Sequence, residues 1–133
     1  MAPFQSPSPN PEIQEHGQVF RPKFDASGLL TAVAVRADTQ EILMVAHMDA
    51  VALRETLSTG YAHYFSRSRQ TLWKKGETSG QLQHVREILV DCDQDALILR
   101  VDVGGDGGAC HTGARNCFFR TIGRDGALHN REP

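Results

Sequence analysis

The stretch GLLTAVAVRADTQEILMVA, residues 28–46, decides the fold. Leu29 to Val35 and Ile42 to Ala46 are rich in apolar and β-branched residues, and the polar run Ala37-Asp38-Thr39-Gln40 parts them, which is the pattern of a β-hairpin. Immediately downstream, Asp49 can cap a helix through Leu57, because Val51, Leu53, Arg54 and Leu57 fit helical spacing and Gly60 supplies a stop. Tyr61 to Phe65 then reads as a strand, as do Val85 to Val90, Ala96 to Val103 and Cys117 to Ile122. Strand signals at short intervals, one or two helices and no βαβ alternation predict an α+β fold, a single domain dominated by antiparallel sheet.

The ends have a different character. Four of the six prolines fall between Pro3 and Pro11, among Ser and Asn, so residues 1–19 are expected to be a flexible extension that neither packs nor holds a helix. The domain proper is expected over residues 20–123, followed by a loosely held polar tail, 124–133. A chain of 133 residues, 40% hydrophobic, has room for one core. A net charge of -2 gives no broad basic field, which argues against nucleic acid or an anionic membrane as the main partner. No apolar run approaches the roughly 20 residues of a membrane helix, and the start lacks a basic and hydrophobic leader, so a cytoplasmic protein is expected. Three cysteines are an odd number for a disulfide framework and suit free thiols or metal ligands.

Those cysteines are Cys92, Cys110 and Cys117, and their spacing is not the paired C-x-x-C of a zinc ribbon. Spacing alone leaves buried thiols and zinc ligands both open. Around Cys92 runs Asp91-Cys92-Asp93-Gln94-Asp95, where alternation along an extended chain would place three carboxylates on one face and the thiol on the other. Crowded acids repel unless a hard cation such as Mg²⁺ joins them, whereas thiolates suit zinc. The run is no EF-hand, since Ala96 stands where the loop's sharp turn wants Gly. Ser66 to Gln81 suits a shaped loop, in which Arg67, Arg69, Lys74, Lys75, Thr78, Ser79 and Gly80 offer cations, hydroxyls and freed backbone N-H groups for phosphates. It is not a Walker A loop, because the lysines precede the glycines. Trp73, between the two basic clusters, can pack or stack on a base. His111, next to Cys110 and before Thr112-Gly113, can be aimed beside a bound metal as a general base or acid.

Trp73-Lys74-Lys75-Gly76-Glu77-Thr78-Ser79-Gly80, Asp91-Cys92-Asp93-Gln94-Asp95, and Ala109-Cys110-His111-Thr112-Gly113 followed by Cys117-Phe118, taken in that order, closely resemble the phosphoribosyl-AMP cyclohydrolase family of histidine biosynthesis. Ser66-Arg67-Ser68-Arg69 fits the same family, and the resemblance covers roughly Phe24 to Phe119. It implies a hydrolase that opens the adenine ring of 1-(5-phosphoribosyl)-AMP between N1 and C6, working as an intertwined homodimer with zinc and magnesium. Carried over by position, Cys92, Cys110 and Cys117 are the zinc ligands, Cys92 coming from one subunit and the other two from its partner. Asp91, Asp93 and Asp95 are the magnesium ligands, and His111 stands at the proposed general base. The sequence departs from the family's usual residues at His47, Asp49, Phe65, Gln81 and Asn116, none of them a metal ligand. Many relatives also carry a fused pyrophosphohydrolase, whereas a single activity is expected here. Two rivals fare worse: a zinc nucleobase deaminase, whose H-x-E with P-C-x-x-C signature is absent, and a binding module in which His111 completes a closed structural zinc site.

Overall fold

A computed structural model gives the fold over residues 3–131. The predicted hairpin is present as β1 (Leu30–Arg36) and β2 (Ile42–Met48), antiparallel, with Gln40 in the left-handed region of its turn. The helix follows as α2 (Ala50–Thr59). Asp49 caps it by accepting from the Ala52 N-H at 2.8 Å, and Gly60, at φ 78, ends it.

A second hairpin joins β5 (Gln83–Val90) to β6 (Ala96–Val103), and the two hairpins meet side by side in the sheet order β2-β1-β6-β5. The central pairing, β1 with β6, is parallel, while both hairpins are antiparallel, so antiparallel pairing dominates as expected. Alternation along a strand reports which face is buried, not which neighbour it pairs with.

One face of this sheet makes the core. Leu30, Ala32 and Ala34 of β1 and Leu97, Leu99 and Val101 of β6 point inward, and α2 adds Ala52 and Leu53 to the same cluster. Tyr64 is fully buried there, its hydroxyl donating to Gln83 Oε1 at 2.6 Å while the Gln83 amide reaches Met44 Sδ at 3.3 Å, so no polar atom of that pair is stranded.

Four expectations give way. The stretch Ser66 to Gln81 is not one loop: β3 (His63–Ser66) and β4 (Thr71–Lys74) pair as a small hairpin, and only the part after Lys74 is irregular. Leu72 and Trp73 stabilise that strand despite the surrounding charge. Cys117 to Ile122 is not a continuous strand, because Asn116 Oδ1 accepts from the Phe118 N-H at 2.7 Å and turns the chain. Only Arg120–Ile122 is extended (β7), and it pairs with β8 (Leu128–Asn130) in an exposed hairpin where a loose tail was expected. Finally, the N-terminal segment holds a helix, α1 (Pro11–His16), with Asn10 as its cap and Pro11 in the first turn, where a proline costs no hydrogen bond. Phe4 packs edge-on against Phe20, with ring centroids 5.7 Å apart.

Candidate active site

Two adjoining cavities, of about 360 and 270 Å³, share Arg69, Trp73, Lys75 and His111 in their walls. The larger continues past Met44, Phe65 and Cys117, and the smaller runs along Lys74, Gly76, Thr78, Ser79 and Gln81. The β3–β4 hairpin and the irregular segment after it thus bring the predicted basic residues and hydroxyls to one place. Trp73 is half-buried between the cavities, its ring tilted against Tyr64 at 5.4 Å, so packing and lining are combined in one side chain. Arg67 lies outside both linings, in the β3–β4 turn, and its charge faces His47, whose imidazole is held below the usual range by burial and by that charge. Gly80 is likewise outside the linings and closes the turn by donating to Gly76 O at 2.8 Å. Gly76 itself is required: its φ is +83, and a Cβ there would stand 2.1 Å from the Gln81 carbonyl carbon.

Of the three cysteines, Cys117 lines the larger cavity and Cys110 stands beside it. Cys110 and Cys117 are within hydrogen-bonding reach of each other. Cys110 is buried, yet bonds from Thr112, whose hydroxyl donates to Sγ at 3.1 Å, outweigh burial and keep its thiol below the ordinary value. Burial and the bond to Cys110 push Cys117 up to about 11. Lys75 is buried beside them, its amine 5.8 Å from the Trp73 ring centroid; burial lowers its pKa, and the neighbouring thiols oppose that. Lys75, expected to hold phosphate, lines both cavities and also stands against the sulfur pair.

The loop carrying these groups is tied down from a distance. The Cys117 N-H donates to Leu43 O at 2.8 Å, and Glu41 accepts from Arg36 Nε at 3.1 Å, Arg115 Nε at 2.8 Å and Asn116 Nδ2 at 2.7 Å. Burial raises the Glu41 pKa, but those bonds together outweigh it and hold the carboxyl below its ordinary range. Reading the sequence did not identify Glu41, because two of its three partners, Arg115 and Asn116, lie 74 and 75 residues away along the chain. The departures at Gln81 and Asn116 acquire structural roles here: Gln81 donates to Asp106 Oδ1 at 2.7 Å, and Asn116 to Glu41.

Cys92 is elsewhere. It is exposed in the β5–β6 turn, and among the described residues no group of three potential ligands includes it. The β6 strand between Ala96 and Arg100, at about 3.3 Å per residue, sets on the order of 13 Å between that turn and the level where Leu43 holds Cys117. Sulfurs on one tetrahedral zinc lie only about 4 Å apart. One chain therefore brings together two of the predicted thiol ligands, not three.

The three carboxylates do converge, with one oxygen each of Asp91, Asp93 and Asp95 all within 4.8 Å of one another. Strand alternation is not the reason. The chain makes a tight turn in which the Gln94 N-H donates to Asp91 O at 3.2 Å and Asp91 Oδ1 accepts from the Asp95 and Ala96 N-H groups at 2.9 and 3.1 Å. Hydrogen bonding to Asp91, partial burial and the neighbouring negative charges push Asp95 up to about 6, while Asp91 is held low by the bonds it accepts. An all-oxygen cluster under such mutual repulsion fits a hard divalent cation.

Comparison with known proteins gives consistent matches. The family model described as phosphoribosyl-AMP cyclohydrolase matches residues 44–119. A phosphoribosyl-AMP cyclohydrolase of Chelativorans sp. is 59% identical over 119 residues, covering 90% of this chain and 86% of the relative. Proteins of the same name from Brucella canis and Caulobacter sp. are 58% and 57% identical, covering 92% and 95% of this chain and 88% and 93% of the relatives.

Proposed function

The chain belongs to the phosphoribosyl-AMP cyclohydrolase family, hydrolases of histidine biosynthesis, and on that premise we propose that it opens the adenine ring of 1-(5-phosphoribosyl)-AMP between N1 and C6, giving the formimino-carboxamide ribonucleotide. The observation that carries the proposal is the wall of the two adjoining cavities: Cys117, a histidine, an indole and a basic, hydroxyl-rich segment face a space large enough for a nucleotide, and Cys110 is paired with Cys117. The residues fit zinc at Cys110 and Cys117 with Cys92 of the partner subunit as the third ligand, and magnesium at Asp91, Asp93 and Asp95. Zinc in such a site, with three protein ligands, supplies Lewis acidity that makes hydroxide available near neutral pH.

The remaining work falls to side chains. Ribosylation at N1 leaves the purine ring cationic and C6 electrophilic, so the protein needs to orient the ring and move one proton. Arg69 and Lys74, with Thr78 and Ser79, form a cationic, hydroxyl-bearing wall for the phosphates, and binding there fixes the ring's position. Trp73 offers an aromatic surface against which the purine can stack. His111, in both linings, takes the proton from the attacking water and returns it to N1 as the bond to C6 breaks.

A homodimer completes the site. On the sheet face turned away from α2, Val45, Val33, Ile98 and Leu89 lie in register across the strands, and Val45, Ile98 and Leu89 are 47%, 38% and 44% exposed. An apolar row of this kind favours a covering partner, and Val45 is also part of the larger cavity's wall. A second copy seated there would close the cavity and bring its own Cys92 turn toward the thiol pair. No helix among the described residues is long and apolar enough to cross a membrane, and a cytoplasmic location is part of the same proposal.

Incubation of the purified protein with phosphoribosyl-AMP, followed by absorbance, tests the proposal. Ring opening should be abolished by a chelator and restored by added zinc. Full activity in protein shown to be free of zinc would contradict it.

A further inference from the structure

We propose that Gln14 and Gln94 are positioning residues, a reciprocal amide clamp through which the N-terminal segment fixes the Asp91–Asp95 turn and thereby the aim of its metal ligands. The proposal rests on the reading that the three carboxylates of that turn hold a divalent cation.

Gln14 is the one buried residue of α1, only 7% exposed. Its Nε2 donates to Arg21 O and to Asp93 O, both at 3.0 Å, and its Oε1 accepts from the Ser8 N-H at 2.9 Å. Gln94, 6% exposed, answers from the turn: Nε2 donates to Gln14 O at 2.8 Å, Oε1 accepts from the Arg21 N-H at 2.6 Å, and its carbonyl accepts from the Lys23 N-H at 2.7 Å. Each nitrogen and oxygen of the two side-chain amides thus has a partner, and every bond made by Gln94's side chain leaves the turn for the N-terminal segment. The helix is shaped for this one contact. Asn10 starts it, and Gly17 ends it where a Cβ would stand 2.5 Å from Ile13 O.

Backbone conformation gives a second, independent sign. Gln94 sits at φ 66, in the left-handed region that favours glycine. A turn that needed only to reverse the chain would be better served by glycine there. Gln94 is disfavoured by its backbone and held by its side chain, which makes the side chain's partners its reason for being in the turn. The clamp grips the Asp93 carbonyl and Gln94, between the carboxylates that converge, and the same turn carries Cys92. Groups of this kind, which hold ligands without touching the metal, typically change metal affinity when they are removed.

The test uses the full-length, zinc-loaded protein with Mn²⁺ as the probe, read by electron paramagnetic resonance. Gln94→Gly removes the clamp while relieving the left-handed backbone, and Gln14→Glu keeps the side chain's shape but replaces its donor by a carboxylate. Each should weaken Mn²⁺ binding by about tenfold or more, and the double variant by little beyond either one. In metal-free protein, amide exchange at Asp95 and Ala96, the two N-H groups held by Asp91 Oδ1, should also accelerate. Mn²⁺ affinity within about twofold of wild type in folded Gln94→Gly would overturn the proposal. Asp93→Asn, with the clamp intact, separates the two claims. If it leaves Mn²⁺ binding unchanged, the cation reading of the turn has failed, and unchanged exchange in Gln94→Gly would then overturn the clamp as well.

Discussion

Glu41 shows how much of this site depends on groups that do no chemistry. Its carboxylate gathers Arg36, Arg115 and Asn116, and so joins the loop that carries His111 and Cys117 to the β1–β2 hairpin. Because its folded pKa lies below the ordinary value, its stabilising effect is complete above the unfolded value and is lost as pH falls through the lower folded one. Glu41→Gln should therefore cost about 2 kcal/mol at pH 7, and the deficit should shrink in acid; urea titrations at both pH values measure it. For His111, His111→Ala should lower turnover by about 10²- to 10⁴-fold with zinc content unchanged, and near-wild-type turnover across neutral pH would remove His111 from the proton path. The contrast between these residues explains what could be read in advance. Cys110, His111 and Cys117 are close in sequence and chemically distinctive. Glu41 is an ordinary acid until the fold delivers its partners.

At the scale of elements, the segment after β4 is the part most exposed to small changes. Gly76→Ala forces a Cβ against the Gln81 backbone at a left-handed position, so the wall built from Lys74, Thr78 and Ser79 must shift. Its KM for phosphoribosyl-AMP should rise by about tenfold or more while zinc content stays constant, as steady-state kinetics and metal analysis would show. The β1–β2 hairpin and α2 were legible because alternation, a polar turn, an Asp cap and a Gly stop agree with one another. The parallel β1·β6 seam was not, since pairing partners leave no local trace. Nor was the order of the N-terminal segment: proline-rich composition argues for flexibility, whereas Gln14 and Phe4 secure the segment through contacts far along the chain or outside any helix. The acid cluster was legible as residues but not as geometry, for a turn rather than an extended strand brings it together.

For the whole molecule, the proposed three-thiol site is incomplete within a single chain. Cys110 pairs with Cys117 at the cavity wall while Cys92 is carried off by the length of β6, and the sheet face beside the cavity carries an exposed apolar row, Val45, Ile98 and Leu89. Folding, association and metal binding should then be linked. Ile98→Asp, on the exposed face and outside the cavity walls, should yield a monomer in sedimentation that retains its secondary structure but little zinc. The most direct measurement is complementation between two inactive proteins, Cys92→Ala and Cys110→Ala, mixed under conditions where subunits are shown to exchange. Each heterodimer would contain one intact three-thiol site, so an equimolar mixture should recover about a quarter of wild-type activity. Demonstrated exchange with no recovered activity would contradict a site shared between subunits.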